Sequence, residues 1–357
     1  MKNKHMQKRS QKTVGVLSFP GVVNHGGYLQ AYALIKVLKQ AGYTVKYINY
    51  RNATHLRNEY RALFMKKKLG LIFYNILRYF TFKKAQVKLG LMGKITSNVK
   101  KLNTKKFDYI IVGSDIVWNY ETPFLGHDKI YFGHDLNCER IISYAPSFGN
   151  SNVAGEIPDY VQSGLSENFQ KLSVRDQNSA DILKKLGLKS NIVLDPTLLY
   201  DFDEEVANRT YNEKYILIYA FSIPHKDQVE LQDFARINKL KIVSICFNDR
   251  YSWCDRNIMV VDPLDFLFYY KNASYVYTST FHGVLFSINF DRNFAFRNND
   301  TVAPKVETIL RELKLENRQI DGSISQCFET TINYDIVKTK LKPLRESSKN
   351  YLLSALI

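Results

Sequence analysis

The chain is poor in cysteine, in long apolar runs and, over its first third, in acid. Its four cysteines, Cys138, Cys246, Cys254 and Cys327, form no Cys-x-x-Cys pair, and none lies at zinc-ligand spacing from a histidine. No metal site is predicted, and in a chain of 357 residues the thiols read as the reduced cysteines of a cytosol rather than as a disulfide framework. No stretch reaches the roughly 18 apolar residues of a membrane span. The first apolar run, 14–19, is too short for a secretory signal. The expected location is cytoplasmic, free or peripheral at the inner face of the membrane. Acid is nearly missing from residues 1–106, which hold 23 Lys and Arg against Glu59 alone, a net of +22. The remainder holds 27 basic and 33 acidic residues, a net of −6. A first third so charged meets something anionic: a phosphorylated substrate, an anionic bilayer face or nucleic acid. No nucleic-acid reader motif accompanies the charge, and no nucleic-acid partner is expected.

What is present is an alternation of short apolar runs and amphipathic stretches, the pattern of βαβ units. Hydrophobic residues make up 45% of the chain, enough for two cores at this length. Residues 1–12 read as a loose basic tail. Strands are predicted over 13–19, 44–50, 107–112, 140–145, 171–174 and 192–194, with helices over 28–41, 157–169 and 177–186. This gives a first domain over 13–199, interrupted by a basic, aromatic and helical insertion over 57–103. The polar stretch 200–214 reads as a linker. A second series follows over 215–330: strands at 215–221, 241–247, 275–278 and 293–296, and helices at 227–239, 263–272, 281–290 and 304–313. The chain ends in a helix within 331–357. The fold class is α/β, two Rossmann-like domains facing across a cleft. Ligands of such sheets bind beyond the carboxyl ends of the strands, so the loops there are the places to search.

Five loops carry candidate chemistry. Asn24, His25, Gly26 and Gly27 follow the first strand, where paired glycines allow close backbone approach and a helix N-terminus favours an anion. The alternative is a tight strand–helix turn, and the pattern is not Gly-x-Gly-x-x-Gly. Ser114 and Asp115 end a strand and precede Trp118. The carboxylate suits a base or a sugar hydroxyl and the indole a sugar face; equally, Ser114 or Asp115 caps a helix and Trp118 belongs to a core. Arg175 closes a strand with a fork that matches phosphate or carboxylate, or else pairs at the surface with Asp176. Ser279, Thr280 and His282 fill a strand-to-helix turn, where a histidine can touch an anion or move a proton, unless it is only hydrogen-bonded beside a cap. Lys305, just inside a helix, can bind phosphate or simply be solvated.

Taken in order these segments resemble one family. NHGGYLQAYAL at 24–34, DYIIVGSDIVWN at 108–119, SYAPSFG at 143–149, SVRD at 173–176, LDPT at 194–197 and TSTFHG at 278–283 are similar to the polysaccharide pyruvyl transferases, and the likeness runs from about 14 to 318. The resemblance implies the two-domain fold called GT-B. It implies phosphoenolpyruvate as donor substrate, no other cofactor, and a sugar on a lipid carrier, nucleotide or glycan as acceptor. The product is a cyclic pyruvate ketal. His282 is then the acid, Asp115 a base, and Arg175 and Lys305 the anion holders, with the Gly26-Gly27 loop on acceptor or phosphate. Some members carry Arg two residues before the histidine; here that place is Thr280, so a cation must come from elsewhere. A nucleotide-sugar glycosyltransferase on the same architecture is the competing reading.

The segment 66–80 joins three lysines and Arg78 to Phe73, Tyr74, Tyr79 and Phe80. It is too short to span a bilayer. It suits a helix lying on an anionic membrane face, or one packed on the first domain with lysines at its rim.

Overall fold

The computed structural model of the protein describes residues 12–19, 23–65, 69–89, 95–102, 104–206, 210–247, 249–299 and 302–357. The expected tail lies outside them except for Lys12, whose ammonium donates to the Tyr109 hydroxyl at 2.5 Å. Lys66 to Lys68 also lie outside them.

Two parallel sheets organise the chain. The first runs β2-β1-β3-β4, built from β1 (Thr13–Leu17), β2 (Thr44–Tyr47), β3 (Tyr109–Val112) and β4 (Ile141–Ser143), with the short pair β5 (Ser173–Val174) and β6 (Asn191–Ile192) beside it. The second runs β11-β10-β7-β8-β9, from β7 (Tyr215–Tyr219), β8 (Lys241–Ile245), β9 (Arg256–Ile258), β10 (Tyr275–Thr278) and β11 (Asn293–Phe296). Strands buried on both faces read as continuous apolar runs: Tyr109–Val112 and Tyr215–Tyr219 are buried at every position.

Helix α1 (His25–Gln40) begins three residues earlier than its apolar spacing predicts. The reason is the cap. Asn24 is extended and its side chain accepts from the Gly27 amide, so the two glycines lie inside the first turn rather than in a loop. The insertion is helical, and its helices start at 53 rather than 57: α2 (Ala53–Tyr60), capped by Asn52, a π-helical turn (Arg61–Met65) and α3 (Leu69–Lys88). On the first lobe α4 (Asp159–Glu167) and α5 (Gln177–Lys185) follow. On the second lie α7 (His225–Ile237), α8 (Pro263–Asn272), α9 (Phe281–Asn289), α10 (Ala303–Leu313) and α11 (Ile324–Glu329), of which α11, like strand β9, has no counterpart in the sequence reading.

The stretch 200–214 is more than a polar linker. It contains the short α6 (Asp203–Val206), and Tyr200, Phe202 and Val206 are buried in a core cluster that joins Leu29 and Leu34 of α1 to Phe266 and Phe286 of the second lobe. The final helix, α12 (Tyr334–Ser354), crosses back to the first lobe. There Ser348 accepts from the Leu194 amide and the Tyr351 hydroxyl donates to the Ser143 carbonyl.

Candidate functional site

Where the carboxyl ends of the two sheets face each other, a buried polar cluster forms. Arg175, just past β5, donates through Nη1 to Asp195 Oδ2 at 2.8 Å and to Gln30 Oε1 at 3.3 Å, and through Nη2 to Asp115 Oδ1 at 3.5 Å. Its guanidinium also lies 4.4 Å from the Phe281 ring centroid. His282, in the first turn of α9, donates through Nε2 to the same Gln30 Oε1 at 3.3 Å and stands 4.0 Å from Asp195 Oδ2. One amide oxygen thus ties the arginine of one lobe to the imidazole of the other.

Glycine makes this closeness possible. A Cβ on Gly26 would sit 2.1 Å from His282 Nδ1, and one on Gly283 would sit 2.0 Å from Thr278 Oγ1. The imidazole therefore packs onto the bare first turn of α1, which leaves Nε2 as the nitrogen turned toward the polar cluster. Asp115 sits with φ +76°, a left-handed conformation that Asp tolerates, and its Oδ1 accepts from the Ile116 amide.

Charge is finely balanced here. Burial lowers the His282 pKa below its ordinary value, against the pull of Asp195 and Asp115. Burial opposes ionisation of Asp115 too, but Arg175, His282, the Ile116 amide and Lys305 together hold its carboxyl below the usual range. Burial, helped by Arg175, lowers Lys305 to about 8. Buried hydrogen-bonding capacity remains unspent among the described residues at Gln30 Nε2, Arg175 Nε, Ser114 Oγ and Asp176 Oδ2.

Two spaces meet at the cluster. A recess of about 160 Å³ is lined by Arg175, Asp195, Phe281, Lys305 and Arg311. A larger cavity of about 460 Å³ runs between the lobes, with Asp115, Asn24 and His25 in its wall and Tyr79, Tyr219 and Phe247 among its aromatics. Arg175 lines the recess, and Asp115, 3.5 Å from it, lines the larger cavity.

The sequence candidates are thus partly brought together. Asp115, Arg175, His282 and Lys305 converge, with Ser114 adjoining. Trp118 does not: it is wholly buried, its indole N–H donates to the Tyr131 carbonyl and its ring packs on Phe132 and Phe148, so it is a core residue and offers no sugar face. His25 lines the larger cavity but donates to the Val261 carbonyl at 3.2 Å and stacks on Phe266 at 4.6 Å, and burial lowers its pKa to about 3. It is a neutral pin between lobes. Asn24 is a helix cap, Gly27 donates to it, and Gly26 makes room for His282 rather than for a ligand. Ser279 accepts from the Phe221 amide, and Thr280 caps α9 by accepting from Gly283. The place of the family's extra arginine is therefore filled by a capping hydroxyl. Asp176 caps α5, and Arg175 pairs with Asp195 instead.

Two members of the cluster carry no sequence-level assignment, Gln30 and Asp195. Gln30 had a signal: it falls on the face of α1 that also buries Leu29, Ala33, Leu34 and Val37, and a polar side chain on a buried face calls for a partner.

Two facing α/β lobes joined by a crossing helix define the GT-B architecture. The UDP-GlcNAc 2-epimerase of Neisseria meningitidis, bound to UDP-GlcNAc, shares it with a TM-score of 0.54 at 9% identity, covering 97% of this chain and 99% of that one. A Listeria monocytogenes protein described as a UDP-N-acetylglucosamine 2-epimerase gives the same TM-score and identity over 96% and 94%. At such identity the likeness shows the fold alone. No curated protein matches the chain. The polysaccharide pyruvyl transferase family matches residues 24–301, most of the chain, and the protein belongs to that family. It is a transferase, and a sugar acceptor follows from that membership.

Proposed function

We propose that the protein transfers the enolpyruvyl group of phosphoenolpyruvate to a sugar of a surface polysaccharide, or of its lipid-linked precursor, forming a pyruvate ketal at the inner face of the membrane. The observation that carries this reading is the recess shared by Arg175 of one lobe and Lys305 of the other, with His282 and Arg175 bonded to the same Gln30 oxygen. A small metabolite with a phosphate and a carboxylate suits two cations so placed.

The chemistry balances. His282 Nε2 protonates the methylene carbon, leaving an oxocarbenium-like C2. One acceptor hydroxyl, its proton drawn toward Asp115, bonds to C2, the C2–O bond to phosphate breaks, and a second hydroxyl closes the ketal. The two hydroxyl protons end on the new methyl group, by way of His282, and on the departing phosphate. Free His282 is held neutral by burial, so it must gain a proton to begin. A dianionic donor at Arg175 and Lys305 favours the charged imidazole. Substrate binding thus arms the acid.

The test is incubation with phosphoenolpyruvate and lipid-linked or nucleotide-linked sugars, read by mass spectrometry for the ketal and by assay for inorganic phosphate. Ketal with stoichiometric phosphate supports the reading. Nucleotide release from a nucleotide sugar, without use of phosphoenolpyruvate, makes the protein a glycosyltransferase instead.

A further inference from the structure

Helix α3 turns an apolar stripe outward that nothing in the described chain covers. Phe73, Ile76, Leu77, Phe80 and Val87 recur at helical spacing, and Phe73, Phe80 and Val87 are 64%, 63% and 73% exposed. Lys84 and Lys88 are exposed on the same face. The opposite face is firmly seated. Asn75, Arg78, Phe82 and Ala85 are buried, and Arg78 donates to the carbonyls of Cys246, Phe247 and Met259 across the cleft. The helix is therefore not packed inside out: its buried face is anchored by Asn75 and Arg78, and its outward apolar stripe has no partner among the described residues.

The electrostatics narrow the occupant. Glu59 is the single acid of residues 1–106, and it is engaged by Arg51 at 3.2 Å and His55 at 3.4 Å. The stripe is thus rimmed by cations, Lys84 among them; Lys88, half exposed, also lies 3.9 Å from Asp262 Oδ2 of the second lobe. Two copies meeting through this face would oppose lysine to lysine. A nucleic-acid duplex would leave the apolar stripe in water.

We propose that the outward face of α3 docks the protein on an anionic lipid bilayer. Phe73, Ile76, Leu77 and Phe80 enter the headgroup region while Lys84 pairs with a lipid phosphate. The inner face of the same segment contributes Leu63, Asn75 and Tyr79 to the larger cavity, so docking sets that cavity beside the headgroups. The proposal needs no particular chemistry at the site.

The test is co-sedimentation of the full chain with vesicles of phosphatidylcholine alone, and of phosphatidylcholine with phosphatidylglycerol, at low and high salt and without any donor or acceptor. Wild-type protein should bind the anionic vesicles and be released by salt. Phe73→Ser with Phe80→Ser should lower the partition coefficient about tenfold or more. Lys84→Glu, a change of two charge units, should do so on anionic vesicles only, by about tenfold. Both variants alter exposed side chains and should keep the wild-type melting temperature. Failure of the wild type to bind, or equal binding by both variants, overturns the proposal. So does a dimer in light scattering that the phenylalanine variant converts to monomer while vesicles bind neither protein. Loss of vesicle binding leaves the ketal assay untouched, so the two readings fail separately.

Discussion

Gly26 and His282 meet across the lobe boundary so closely that a single methyl group on the glycine would fall 2.1 Å from the imidazole Nδ1. The first turn of one helix is thus the wall against which the proposed acid is set. Gly26→Ala should fold, with a cost of about 1–3 kcal/mol from forced displacement. Moving the imidazole by an ångström or so should lower kcat about 100-fold. Denaturant titration and steady-state kinetics on the same preparation check both.

Gln30 holds two groups with one oxygen, so it should act through them rather than on the substrate. Gln30→Leu should lower kcat about tenfold and change KM for the donor through Arg175. Gln30→Glu places a negative charge beside the imidazole and should favour its protonated form. The alkaline limb of the pH–kcat/KM profile should therefore move up in pH. An unmoved limb would mean that Gln30 serves packing only.

His25 should make the fold acid-sensitive. Its pKa is lowered to about 3 in the folded chain, chiefly by burial, so the unfolded chain binds a proton that the folded one refuses. Stability is full above about 6.5 and falls as pH drops toward about 3, at ~1.4 kcal/mol per pH unit. His25→Phe, which keeps the stack on Phe266, should remove about 3 kcal/mol of that loss between pH 6.5 and 4.5 in denaturant melts.

Trp118 should matter for stability and not for substrate. Trp118→Ala should cost about 3–5 kcal/mol. Well below its melting temperature it should keep the acceptor KM of the wild type. A selective rise in that KM would restore a sugar-stacking role.

Much of this was legible beforehand, for physical reasons that differ by element. Strands such as 109–112 and 215–219 declare themselves because a strand buried on both faces must be apolar throughout. The boundary of α1 was not legible from apolar spacing, because a glycine pair inside a helix is decided by the Asn24 cap and by the approach to Gly26 of His282, far along the chain. Asp115, Arg175, His282 and Lys305 stand at strand ends and helix starts, where chemistry gathers, and they do converge. Trp118 misled because a large aromatic beside a polar loop looks alike whether it faces a ligand or a core. Asp195 was hidden by its own turn: its Oδ1 accepts from the Thr197 amide and hydroxyl, which a sequence reads simply as an Asp-Pro corner.

The most direct measurement is calorimetric titration of phosphoenolpyruvate into the wild-type protein at pH 8, in buffers of different ionisation enthalpy, alongside Arg175→Ala and Lys305→Ala. Lys305 is lowered to about 8 and His282 below its ordinary value in the empty site, so a doubly acidic ligand should draw protons onto both. Net proton uptake in the wild type, reduced in Lys305→Ala, with affinity lowered at least about tenfold in each variant, is the predicted result. Binding without proton uptake, or undiminished in both variants, would contradict a donor held between the lobes by these two cations.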